Sequence, residues 1–179
     1  PSTTQTSTTP ALERPTALRR GFVACPKGEI IVSTVALIVA AHGNFAEALL
    51  DSAAMIAGKF EKVKSITFAS SEGPDDLLAK YDAALSEMGE KQVLFLVDLF
   101  GGSPYNAAAR YVAPRGDADI VTGVSLPMLI EVISGRWTPG ATLDDLARTA
   151  RQAGLEAVHV FSQEFIAPTN TSTEEGDDL

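Results

Sequence analysis

Thr34-Val-Ala-Leu-Ile-Val-Ala-Ala-His-Gly43 is an unbroken apolar run that ends on an imidazole. A continuous run of this length, rather than an alternating one, predicts a strand over Val35 to Ala41 covered on both faces, as in a parallel sheet. A second run, Gln92-Val-Leu-Phe-Leu-Val-Asp98, ends on a carboxylate, and Leu99-Phe-Gly-Gly-Ser-Pro104 follows it. If the two runs are parallel strands, the imidazole, the carboxylate and the glycine turn meet at the carboxyl edge of one sheet. That edge is where open α/β folds place their ligands.

Outward from these two runs, strand and helix alternate from Ser33 onward. Asn44 to Ala57 carries Phe45, Leu49, Ala53 and Ile56 at helical spacing, closed by Gly58. Val63 to Ala69 alternates more than the first run and predicts a strand nearer an edge. Gly73-Pro74 opens a helix with Leu77, Leu78, Tyr81, Leu85 and Met88 on its inner stripe. Val93 to Val97 is the third strand, Ser103 to Tyr111 a helix, Pro114-Arg-Gly116 a turn, and Asp119 to Gly123 a short fourth strand. Leu126 to Ser134 and Leu143 to Ala153 are helical, the latter capped by Thr142. Ala157-Val-His-Val-Phe161 reads as a last strand, pairing antiparallel at an edge or leaving to pair with another subunit. This alternation implies the α/β class, with right-handed crossovers and a mainly parallel sheet.

The domain is expected over residues 33–163. Before it, residues 1–32 form an extension; Pro1 to Pro10 has no apolar pattern and is expected to be disordered. One expectation is that the natural chain starts near Val32. After the domain, residues 164–179 form an acidic tail. Arg19-Arg20 ahead of Ile30 to Ala41 imitates a signal peptide, but Lys27 and Glu29 interrupt the approach and cleavage would remove a core strand. No run reaches the roughly 18 apolar residues of a membrane helix. The net charge of −9 argues against a nucleic-acid partner and suits a partner with a basic surface. Cys25 is the only cysteine, which excludes an internal disulfide and fits a reducing cytoplasm.

The chemistry sits at the shared edge. A carboxylate at Asp98 that accepts the Nδ1 proton of His42 fixes the tautomer and leaves Nε2 as a nucleophile near neutral pH. Gly101 and Gly102 let the backbone turn sharply and approach a ligand closely. Ser103 suits an N-cap and Pro104 the first helical position, and the free amides of that helix start suit a phosphoryl group. Taken singly, each has a commoner use: a structural histidine, a turn aspartate, a strand-to-helix turn. Together they read as a phosphohistidine site with no need of a metal or cofactor. His159 lies inside an apparent strand and reads as structural, Trp137 as packing or interface. Asn106 and Arg110 face either the site or solvent. A hydrolase using Ser103 is disfavoured, because the serine lacks the flanking residues of a nucleophile elbow.

These stretches, with Phe95-Leu-Val-Asp-Leu-Phe-Gly-Gly-Ser-Pro-Tyr-Asn-Ala-Ala-Ala-Arg110 and Thr122-Gly-Val-Ser-Leu-Pro-Met-Leu129, resemble the enzyme IIA component of the mannose-family sugar phosphotransferase system over roughly residues 33 to 162. The resemblance implies a three-layer α/β/α domain with a doubly wound, mainly parallel sheet and an added antiparallel edge strand, and a homodimer that exchanges this last strand, here Ala157 to Phe161. It implies a cytoplasmic phosphotransferase that takes a phosphoryl group from the phosphocarrier protein HPr and passes it to enzyme IIB for sugar uptake, with the membrane components IIC and IID reached indirectly. By position the phosphorylated residue is His42, its neighbouring carboxylate Asp98, and the phosphate-binding residues Gly101, Gly102 and Ser103. The extension is not part of the family pattern, and no IIB segment follows, so a stand-alone IIA protein is expected. Two alternatives share the site: a regulatory IIA-like phosphoprotein, and the phosphotransfer subunit of a dihydroxyacetone kinase.

Overall fold

The structure, a computed structural model, describes residues 34–164. Residues through Val158 form the sheet and its helices; from His159 the chain belongs to a second unit, whose described part includes one short helix. The first unit runs β1 (Val35–His42), α1 (Phe45–Ala57), β2 (Val63–Phe68), α2 (Pro74–Met88), β3 (Gln92–Val97), α3 (Ser103–Val112), β4 (Ala118–Thr122), α4 (Leu126–Gly135) and α5 (Leu143–Glu156). The short helix is α6 (Phe161–Glu164).

The sheet has the order β2-β1-β3-β4, and all its pairs are parallel. Every residue from Val35 to Ala41 is fully buried, which is why the first run carries no polar side chain. Alternate side chains serve opposite layers, as a pleated strand requires. Val35, Leu37, Val39 and Ala41 pack with Leu94 and Leu96 against α1, α4 and α5. Ala36, Ile38 and Ala40 pack with Val93, Phe95 and Val97 against α2 and α3. The three-layer α/β/α class follows from these two cores.

Local signals placed the helices well. Gly58 ends α1 at φ 78, and Thr142 caps α5 by accepting from the Asp145 amide. The α1 face is rotated from the expected one: Ala46, Leu49 and Ala53 are buried, while Phe45 and Ile56 stand about half exposed. Small residues face β1 because the helix lies close to the sheet.

The last strand is the main correction. α5 continues to Glu156, Ala157 is its C-cap, Val158 to Val160 are not in a strand, and Phe161 begins α6. An apolar alternating segment becomes a strand only when a neighbour supplies its ladder, so the antiparallel edge strand is not formed within the described chain. The extension up to residue 32 with Cys25, and the tail from residue 165, lie outside the described residues.

Candidate functional site

Strand order reverses between β1 and β3: the chain goes from β1 to one side of the sheet and returns to place β3 on the other. The crevice at such a switch point opens at the carboxyl ends of the two strands. His42 is the last residue of β1, and Asp98 directly follows β3. Their register is tight, since Ala40 pairs with Val97 and the Asp98 amide donates to the Ala40 carbonyl at 3.3 Å.

Asp98 holds the histidine twice. Its Oδ2 lies 2.8 Å from His42 Nδ1 and accepts the His42 backbone N–H at 2.9 Å. Its Oδ1 accepts the Leu99 amide at 2.8 Å. Burial by itself would raise the Asp98 carboxyl; the two bonds from His42 and the one from Leu99 outweigh it and hold the group below the ordinary aspartate value. Asp98 is therefore a carboxylate at neutral pH, and an anion beside Nδ1 makes that nitrogen the protonated one. Nε2 is left as the lone-pair nitrogen, on a side chain 43% exposed. The Phe68 ring meets the imidazole edge-on at 5.6 Å between centroids and limits its tilt.

The glycine turn completes the cradle. Gly101 has φ 77, a left-handed conformation that other residues adopt at a cost. Gly102 is needed for a different reason: a Cβ there would sit 2.9 Å from His42 Cε1 and 3.3 Å from the Leu99 carbonyl oxygen. The turn thus lies in van der Waals contact with the imidazole. Gly102→Ala is expected to fold but to displace the ring, and a reaction at Nε2 would then slow about tenfold or more, in keeping with the cost of a misplaced reacting group. The ¹H–¹⁵N signals of the His42 ring beside a thermal melt would check the displacement; unmoved ring signals in a folded variant would show that the contact does not position the imidazole.

Gly102, not Ser103, is the N-cap of α3, and its carbonyl accepts the Asn106 amide at 2.9 Å. Ser103 and Pro104 are the first two helical residues. The Gly102 amide already donates to the Leu99 carbonyl at 3.2 Å, whereas those of Gly101 and Ser103 have no acceptor among the described residues. A helix start with open amides attracts anions. Asn106 serves the site indirectly, its side-chain amide donating to the Gly101 carbonyl at 2.9 Å. Arg110 instead pairs with Asp75 of α2 at 3.1 Å. Trp137 packs against the α1–α4–α5 core, and His159 falls in the second unit.

Two features had no functional reading in the sequence. Tyr81, read as part of a core stripe, donates its hydroxyl to the Pro104 carbonyl at 3.0 Å. Arg136 is 2% exposed and donates to the Glu61 carbonyl at 2.8 Å, far along the chain from the site. Neither a stripe position nor a single arginine after a helix carries a signal for such a contact.

Residues 36–150 match the EIIA-man family, described as PTS system fructose IIA component. The chain is 38% identical over 144 residues to the PTS system fructose-specific EIIA component of Bacillus subtilis (strain 168), covering 79% of this chain and 97% of that protein. It is 40% identical over 126 residues to the PTS system mannose-specific EIIAB component of Escherichia coli (strain K12), covering 70% of this chain but only 39% of that longer protein. Among solved structures, the phosphotransferase system component EIIA from Streptococcus agalactiae superposes with a TM-score of 0.66 at 30% identity, over 72% of this chain and 98% of that one.

Proposed function

The chain belongs to the EIIA-man family of phosphotransferase-system IIA components, and from that premise we propose that it carries a phosphoryl group on His42, taken from HPr and passed to an enzyme IIB. The observation that carries this reading is the 2.8 Å contact between His42 Nδ1 and Asp98 Oδ2 at the switch point. The Nε2 lone pair attacks the phosphorus of phospho-HPr in line. The Nε2–P bond forms as the donor's N–P bond breaks, and the donor imidazole leaves with the electron pair. Asp98 offsets the positive charge that the His42 ring gains, while the Gly101 and Ser103 amides and the Ser103 hydroxyl hold the phosphoryl oxygens. Transfer onward to IIB is the same step reversed in direction.

A carrier must admit another protein to its reacting atom. Leu99 and Phe100, directly after Asp98, are 58% and 72% exposed, and Phe45 near the other strand end is also exposed. Such an apolar rim around a polar centre suits protein docking. On this reading the protein works in the cytoplasm and reaches the membrane components IIC and IID only through IIB. Among the described residues, no helix is long and apolar enough to cross a membrane. Incubation with enzyme I, HPr and labelled phosphoenolpyruvate should place one acid-labile phosphoryl group on each chain; an unlabelled chain would overturn the proposal.

The reading includes a homodimer. The outer edge of β4 has no strand beside it among the described residues, and a groove of about 670 Å³ runs along it, lined in part by Tyr105, Thr122, Met128, Arg151 and Leu155. Unpaired edges are normally covered. The apolar segment Ala157 to Phe161 of a second copy suits that place, its Val158 being 79% exposed within its own chain. Val158→Asp combined with Val160→Asp should convert a dimer into a monomer in analytical ultracentrifugation. A dimer that persists would show that this segment is not the interface.

A further inference from the structure

We propose that Tyr81 is a positioning residue for phosphoryl transfer, its buried hydroxyl fixing the first turn of α3 against the sheet so that the open amides stay in register with His42. This inference rests on the carrier reading above.

The first turn of α3 is held from several sides. Its cap residue Gly102 touches the His42 ring, and Asn106 ties back to the Gly101 carbonyl. Neither contact joins the turn to another helix. The Tyr81 hydroxyl does: it reaches from α2, with no exposed surface, and donates to the Pro104 carbonyl at 3.0 Å. Pro104 follows Ser103 directly, so this bond acts one residue from an amide assigned to the phosphoryl group. The phenol ring is itself fixed. It meets Phe95 of β3 edge-on at 5.0 Å, and Phe95 meets Tyr111 near the far end of α3 at 5.5 Å. Tyr81 and Tyr111 thus anchor the two ends of α3 to one phenylalanine of the strand that leads to Asp98. On the outside of the same helix pair, Asp75 and Arg110 form an exposed ion pair, which solvent weakens.

A simple core role would need no hydroxyl. An aromatic ring packed on Phe95 is served equally by phenylalanine, and a buried hydroxyl without an acceptor is costly. A helix-start carbonyl is an ordinary i to i+4 acceptor, so a second donor on Pro104 adds restraint at that turn. Burial, with the Asp98 charge adding to it, pushes the phenol above the ordinary tyrosine value, so the group remains a donor throughout the working range of pH.

Tyr81→Phe removes the hydroxyl and nothing else. The transfer rate constant from phospho-HPr to the full chain is expected to fall about fivefold, the order of one hydrogen bond lost from a restrained site. The half-saturating concentration of phospho-HPr should not move, because Tyr81 has no surface for a partner to touch. In parallel, the ¹⁵N–¹H signals of Gly101, Gly102, Ser103 and Tyr105 should shift in Tyr81→Phe, while those of α5 stay in place. A lower melting temperature with an unchanged rate and unmoved turn signals would make Tyr81 a core residue only and overturn the proposal. If the wild-type chain takes no phosphoryl group, the carrier reading fails instead, and unmoved turn signals in the variant would still overturn the positioning role.

Discussion

His42→Ala is expected to take no phosphoryl group from phospho-HPr, with label on the chain falling to background. No other side chain in the described site combines a lone-pair nitrogen with an orienting carboxylate. With His42 gone, Ser103 loses the one imidazole of the described site that could act as its base, and Asp98 is still engaged through both oxygens by the backbone amides of positions 42 and 99. The substitution should leave the fold intact. The His42 side chain is 43% exposed, so its loss should cost about 1 kcal/mol or less. The His42 backbone N–H, which the substitution keeps, still donates to Asp98. Label that survived on a folded His42→Ala chain would mean that the phosphoryl group goes elsewhere.

Asp98→Asn is expected to slow transfer about 100-fold while the chain folds, which corresponds to roughly 3 kcal/mol of lost transition-state stabilisation. An amide can accept the His42 backbone N–H as the carboxylate does. It cannot offset charge on the ring, and in its flipped orientation, which gives up that backbone bond, its NH₂ donates to Nδ1, moving the proton to Nε2 and removing the nucleophile. Rapid-quench measurement of transfer decides the point, and a rate within a factor of about two of wild type would leave Asp98 with no role in orientation. The same pair carries a pH signature. The Asp98 pKa is lowered in the folded chain, so its contribution to stability is present above the unfolded value of about 3.9 and is lost as pH falls through the folded value. Urea unfolding should therefore show the wild type's margin over Asp98→Asn at neutral pH and a shrinking margin as the pH drops below about 4.

The site was legible because its parts end strands. An apolar run buried on both faces leaves little freedom in register, so the residue that breaks it, His42 or Asp98, lands at the sheet edge. The glycine turn was legible as a turn, but not the contact of Gly102 with the imidazole, which depends on how far α3 tilts toward β1. The cap shifted by one residue because an extended Gly102 closes the helix through its own carbonyl, leaving Ser103 inside the first turn. Tyr81 was hidden by its own burial: a stripe at helical spacing reports which face is inside, not which hydroxyl finds an acceptor. Ala157 to Phe161 marks the other limit. Alternation shows that a segment suits a sheet, whereas the strand itself depends on a neighbour that the described chain does not supply.

The orientation of one imidazole underlies the whole mechanism: Nδ1 committed to Asp98, Nε2 open to the donor. Phosphorylating the full chain with its natural donor and recording ³¹P and ¹H–¹⁵N spectra of the labelled histidine tests it directly. The phosphoryl group should sit on Nε2 of His42, with Nδ1 still coupled to its proton. Phosphorus bonded to Nδ1, or to any residue other than His42, would contradict it.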